Sequence, residues 1–227
     1  MAARRKSVRR KSPRRNRFTS GSNQQFYRGM TKLGFILAAI IVSVMLLFVM
    51  VEHQQTVIKA HREAVASSQA AVVNKKKAFI QEIAPEAVKL RNTYQVLPSV
   101  TIAQAILESN WGESQLTAKY RNLFGIKGSD PTNTREMTTQ EYVNGQWQTV
   151  TARFRVYPSY AASLLEHAQL FHKGTTWNPQ QYVHFLAADN YKAAAEALQT
   201  DGYATDPDYA TKLINLIEQY DLNQYDK

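Results

Sequence analysis

Apolar positions divide this chain into stretches of different character. From Leu33 to Val51, nineteen consecutive residues (LGFILAAIIVSVMLLFVMV) carry no charge. A helix rises about 1.5 Å per residue, so this run matches the roughly 30 Å hydrocarbon thickness of a bilayer. Between Glu52 and Lys77 the apolar positions thin to Val57, Ile58, Val65, Val72 and Val73, in an Ala-, Gln- and Lys-rich sequence without Gly or Pro. That predicts a helical stalk whose apolar positions are too sparse for a coiled-coil seam. From Ala78 to Leu222 the pattern is that of a folded domain.

In AFIQEIAPEAVKLRNTYQV, Phe79, Ile80, Ile83, Ala87, Val88 and Leu90 recur at helical spacing. Pro85 marks a kink or the restart of a helix. Pro98-Ser99 supplies a stop and an N-cap, and VTIAQAILES follows as a second helix. Ser114 caps a short third helix that runs through Tyr120. NLFGIKG, residues 122–128, is a Gly-punctuated loop. Thr138 to Tyr157 alternates as a β-hairpin, with Asn144-Gly145 as its two-residue turn. Helices are expected over 160–172, 191–200 (capped by Asn190) and 207–220, with a further turn near 179–187. The expected class is α+β, mostly α, with one hairpin. A single transmembrane helix precedes the domain, and residues 223–227 form a C-terminal tail.

The net charge of +10 is localised. Residues 1–32 hold 11 Lys/Arg and no Asp/Glu, whereas 17 Lys/Arg face 18 Asp/Glu in the rest of the chain. The cluster RRKSVRRKSPRRNR abuts the apolar run, so it reads as an orientation signal that keeps the N-terminus cytoplasmic. It does not read as a nucleic-acid-binding arm. The n-region is long, and Glu52-His53-Gln54-Gln55 follows where a cleavable signal peptide would carry small residues. An uncleaved, single-pass anchor is expected, with everything after Val51 exported. Residues 1–32 have too little apolar surface to order a chain and are attracted to anionic lipid headgroups. The absence of Cys excludes disulfides, thiolate metal sites and a Cys nucleophile. The five His (53, 61, 167, 172, 184) form no zinc pattern. No metal or cofactor is expected, and His167 reads as a helix or core histidine.

Candidate chemistry begins with Glu108 in AILESNWGES. Ile102, Ala105, Ile106 and Ser109 mark an inward stripe, and Glu108 lies at its edge in the last turn. Partial desolvation and the negative end of the helix both raise the pKa of a carboxyl placed there. A carboxylic acid that keeps its proton near neutrality suits general acid catalysis of glycoside cleavage. Trp111 offers a flat apolar face for a sugar ring, and Gly112 allows a sharp turn. Residue types alone equally allow Glu108 to cap a loop or to pair with Lys127 or Arg121. Glycosidases usually employ two carboxyl groups, and the second candidate is Glu141 in TTQEYVNGQW. A turn at Asn144-Gly145 pairs Val143 with Gln146 and Glu141 with Gln148. Alternation then sets Glu141 on the side of Val143, Val150, Ala152, Phe154 and Val156. A strand-edge charge near Arg153 or Arg155 is the alternative; Glu113 and Glu136 are weaker candidates.

Taken together, FIQEIAPEAVKLRNTYQVLPSVTIAQAILESNWGES, NLFGIKG, EYVNGQW, ARFRVYPS and YATDPDYATKLINLI resemble the glucosaminidase domains of glycoside hydrolase family 73. The resemblance covers roughly residues 78–222. It implies a lysozyme-like fold and cleavage of β-1,4 bonds in peptidoglycan glycan strands, typically after N-acetylglucosamine. It makes Glu108, at the LES position, the catalytic acid. It gives Glu141 one of two roles: general base for inversion, or support for attack by the substrate's own acetamido group. Trp111, Phe124, Tyr157, Tyr203 and Tyr209 lie in stretches that match family motifs near the groove. Asn122 orders the loop around Glu108 and is counted with them as substrate-binding. Of the two tyrosines in GYATDPDYA, Tyr203 is favoured as the substrate contact and Tyr209 is the alternative core residue. Ala161-Ala162-Ser163 and Glu166 depart from common family usage. The expectation is a membrane-anchored peptidoglycan hydrolase on the cell-wall side, working alone or with an unidentified membrane or wall-synthesis protein. Its rivals are an N-acetylmuramidase, a lytic transglycosylase and a non-catalytic glycan-binding scaffold.

Overall fold

A computed structural model describes residues 21–143 and 146–227, with side chains for 31–139, 146 and 148–227. The basic tail before residue 21, the Asn144-Gly145 turn and the Glu141 side chain lie outside the described residues. The chain divides into two units, one ending at Ser67 and one spanning Ser68–Lys227. In the first, helix α1 (Gly21–Tyr94) carries the apolar run. Its large side chains are exposed, for example Phe35 and Leu46. The stretch is long and apolar enough to cross a membrane.

In the second unit α1 continues through Pro85, which marks no boundary. Phe79, Ile80, Ile83, Ala87 and Leu90 turn one face of the helix into the core. Helix α2 (Pro98–Ser109) is the central element, with every residue from Pro98 to Ile106 buried. The short α3 (Gln115–Tyr120) starts at Ser114, whose side chain accepts from Thr117 N–H as expected. Strands β1 (Thr134–Val143) and β2 (Gln146–Arg155) form the antiparallel hairpin, beginning four residues earlier than the alternation suggested. Val143 pairs with Gln146 and Glu141 with Gln148, the register that a two-residue turn dictates. Helices α4 (Tyr160–Lys173), α5 (Val183–Ala187), α6 (Tyr191–Thr200) and α7 (Tyr209–Gln219) complete the order. Asn190 caps α6 as expected, through Lys192 and Ala193 N–H. Among the described residues the class is mostly helical with one two-stranded sheet, as anticipated.

Both ends of α2 have specific causes. The N-cap position is Leu97 rather than Ser99, and Pro98 opens the helix. Pro lacks an N–H, so the next free donor is that of Ser99. It donates to Asp226 Oδ1 at 2.8 Å, while Ser99 Oγ donates to Asp226 Oδ2 at 2.6 Å. Residues 223–227 are therefore not a loose tail: a 3-10 turn (Leu222–Asp226) brings a carboxylate to the positive end of α2. At the other end Asn110, Trp111 and Gly112 take successive positive φ angles of 49°, 60° and 78°. Ser109 Oγ accepts Gly112 N–H at 2.7 Å. A Cβ on Gly112 would lie 2.8 Å from the Phe79 ring. This abrupt end leaves Glu108 in the final turn.

The Asp226 cap is testable. Asp226→Ala is expected to lower stability by about 1–2 kcal/mol, as loss of a helix cap does, read as a lower thermal midpoint. An unchanged midpoint would contradict the cap.

Candidate active site

The burial of α2 fixes where Glu108 can be. Ile102, Ala105, Ile106 and Ser109 are buried, as the inward stripe requires. Glu108 itself is open to solvent at the edge of that stripe. Tyr209, at the start of α7, is 4% exposed and donates its hydroxyl hydrogen to Glu108 Oε1 at 2.8 Å. Gln104, one turn earlier on α2 and fully buried, donates from Nε2 to Tyr209 Oη at 3.2 Å. Burial raises the Glu108 pKa above its usual 4.5, and the Tyr209 hydrogen bond opposes that rise. A side chain on an open wall still loses much of its water to neighbouring protein atoms, so exposure and desolvation coexist here.

Two recesses meet at this carboxyl. One, of about 490 Å³, is lined by Phe124, Tyr203, Thr205, Asp206, Tyr209 and Lys212 among others. The second, of about 300 Å³, lies toward the hairpin and includes Ser114, Gln115, Met137, Thr138, Thr139 and Phe154. Among the described residues Glu108 alone lines both. An elongated ligand lying along both recesses would cross over the acid.

The family model for glucosaminidases, described as mannosyl-glycoprotein endo-β-N-acetylglucosaminidase, matches residues 84–222. The chain belongs to this family. It is 50% identical over 155 residues to exo-glucosaminidase LytG of Bacillus subtilis, covering 68% of this chain and 55% of that protein. It is 44% identical over 159 residues to a probable N-acetylmuramidase of Lactococcus lactis, covering 69% and 36%. The catalytic domain of the autolysin Auto from Listeria monocytogenes superposes with a TM-score of 0.63 at 43% identity, covering 67% of this chain and 88% of that structure. The chain thus spans about half or less of these two curated relatives.

In this glucosaminidase domain Phe124, Tyr203 and Tyr209 share the larger recess with Glu108, as their motif positions implied. Tyr209 is both the buried residue and the one bonded to the acid. Tyr203 instead holds His167 Nε2, at 3.1 Å. His167 stacks on Phe124 with ring centres 3.6 Å apart, and burial pushes its pKa down to about 3. It is thus the neutral core histidine that its helix position suggested.

Three other expected substrate residues line neither recess. Trp111 packs edge-on against Phe79 and Tyr220, with Lys76 Nζ 4.7 Å from its ring centre. The left-handed turn aims its ring at α1 instead of beside the acid. Asn122 is buried, and its side chain is spent on backbone: Nδ2 donates to the Ile126 and Arg155 carbonyls, and Oδ1 accepts from Ile126 N–H. It orders the loop and has nothing left for a ligand. Tyr157 is buried, with the Arg155 guanidinium 5.9 Å from its ring centre.

The weaker carboxylate candidates are paired: Glu113 with Lys75 at 2.7 Å, and Glu136 with Arg153 at 2.8 Å. Arg155 binds Glu166 at 2.9 Å. Among the described residues no group of three or more His, Asp or Glu is placed to hold a metal ion. Gln104 was missed as a site residue. Its signal was an amide side chain one turn before the acid, flanked by Ala103 and Ala105 in a helix with an apolar inward stripe. The Asp206–Lys212 ion pair at the recess wall was missed too.

The raised Glu108 pKa has a stability consequence. Folding favours the protonated form, so this group supports the fold most fully below pH 4.5. That contribution fades as pH rises through the folded-state value. Glu108→Gln is therefore expected to gain thermal stability over the unsubstituted protein as pH rises from 4 to 7. A difference that shrinks over that range would contradict the shift.

Proposed function

We propose that this chain is a membrane-anchored peptidoglycan hydrolase that cleaves β-1,4 glycosidic bonds of the glycan strand, as an endo-β-N-acetylglucosaminidase. The observation that carries the reading is the desolvated carboxyl of Glu108 at the junction of two recesses. Glu108 protonates the leaving glycosidic oxygen as the bond lengthens, and the sugar ring acquires oxocarbenium character. Phe124, Tyr203 and Tyr209 form the apolar wall against which a sugar face rests. Glu141 is the proposed second carboxylate, positioning water or supporting the substrate's acetamido group. Its backbone position continues the series of Met137 and Thr139, which line the second recess.

A muramidase is the second reading, favoured by the relative named a probable N-acetylmuramidase. The name exo-glucosaminidase on another relative raises end-directed cutting in place of internal cutting. Reducing-end analysis of the products separates the bond cleaved, and fragment length separates internal from end-directed cutting. Full-length protein in detergent, incubated with purified peptidoglycan, is expected to release fragments with reducing N-acetylglucosamine ends. Reducing muramic acid ends would establish the muramidase, and anhydromuramic ends a transglycosylase. Glu108→Gln is expected to slow release by about 10²–10⁴-fold, the usual worth of a general acid. Equal release by both proteins would remove Glu108 as the acid, and release by neither would favour a glycan-binding scaffold.

In the proposed topology residues 1–32 are cytoplasmic, near anionic headgroups, and residues 33–51 span the membrane. Residues 52–77 form the stalk, and the domain from residue 78 works on the cell-wall side. Protease added outside wall-stripped cells is expected to digest the domain and spare an N-terminal tag. Loss of the tag with survival of the domain would reverse the orientation.

A further inference from the structure

A phenol has one hydrogen to give, and the direction in which Tyr209 gives it matters for the acid beside it. Glu108 has two oxygens. If Tyr209 donates to Oε1, a catalytic proton resides on Oε2. If the Tyr209 hydroxyl turns and accepts, Oε1 can keep the proton in a hydrogen bond to the protein, aimed away from any glycosidic oxygen. Gln104 separates these two cases. Its Nε2 occupies a lone pair of Tyr209 Oη at 3.2 Å, and the hydroxyl hydrogen then goes to Glu108 Oε1 at 2.8 Å.

The cost of keeping an amide here sharpens the point. Gln104 has no exposure, and its Oε1 is buried with no partner among the described residues. An unmet buried acceptor is destabilising, and methionine would fill similar space without it. The bond to Tyr209 is what the amide supplies in return.

We propose that Gln104 is a positioning residue that fixes the Tyr209 hydroxyl as a donor and so places the catalytic proton on Oε2 of Glu108. This rests on Glu108 acting as the acid. The other titratable or charged groups facing it are Tyr203, Asp206 paired with Lys212, and His167 behind Tyr203. On the hairpin side the described lining residues are uncharged. At neutral pH His167 is neutral and both tyrosines keep their protons, since burial moves each away from neutrality. Gln104 and Tyr209 therefore act on Glu108 through hydrogen-bond direction, with no change in their own charge.

The test is a double-mutant cycle on full-length protein in detergent, using Gln104→Met, Tyr209→Phe and the pair. Gln104→Met is expected to lower kcat about tenfold, the order of one neutral hydrogen bond. KM stays unchanged, because Gln104 does not reach the groove. The alkaline limb of the pH profile moves to higher pH, because the ionised carboxylate loses an assured donor. In the Tyr209→Phe background the same substitution adds nothing. An equal loss in both backgrounds, or a change confined to KM, would overturn the proposal. A second measurement needs no variant: the side-chain amide of Gln104, followed by nitrogen-edited NMR, keeps one hydrogen-bonded N–H on both sides of the Glu108 titration. Reorientation of the amide when Glu108 takes its proton would overturn it as well. An active Glu108→Gln protein would instead remove the acid on which the proposal rests.

Discussion

The hydrogen bond from Tyr209 to Glu108 joins residues 101 positions apart, and the candidate site depends on it. Neither end is free to move. Glu108 is carried by a helix that is buried from Pro98 to Ile106, and Tyr209 is the buried first residue of α7. The bond sets a balance on the carboxyl. Desolvation drives its pKa up, and a donor at 2.8 Å draws it partly back. An acid that only climbed would hold its proton too firmly to give it away; one that only accepted hydrogen bonds would not keep it.

Much of the frame was legible because it follows from local rules. The helical spacing of Ile102, Ala105 and Ile106 identified the inward face of α2, and all three are buried. Asn190 and Ser114 announced their helices through cap chemistry. The pairing of Glu141 with Gln148 followed from counting outward across a two-residue turn. Phe79, Ile80, Ile83, Ala87 and Leu90, which recur at helical spacing, are all buried. What escaped depends on contacts between distant parts of the chain. Asp226 caps a helix that begins 128 positions earlier in the sequence, at Pro98. Nothing local distinguishes Tyr209 from Tyr203, since which hydroxyl meets the acid is decided by how α7 packs on α2.

Trp111 shows the limit of reading a side chain by its sequence neighbours. It lies three residues after the acid, yet three consecutive left-handed residues turn the chain, and its ring meets Phe79, Lys76 and Tyr220. The same turn needs Gly112, because a Cβ there would strike the Phe79 ring. The motif that ends α2 thus also packs against the last turns of α1, all within the second unit. One short segment serves both the placement of Glu108 and core packing, so its residue types cannot be assigned to the site by proximity alone.

The central claim is that burial holds the Glu108 carboxyl in its protonated form to higher pH than an ordinary glutamate. Carbon-13 NMR of the labelled side-chain carboxyl, followed against pH in the ligand-free protein, measures this directly. The account predicts a midpoint above 4.5. A midpoint at or below that value would contradict it.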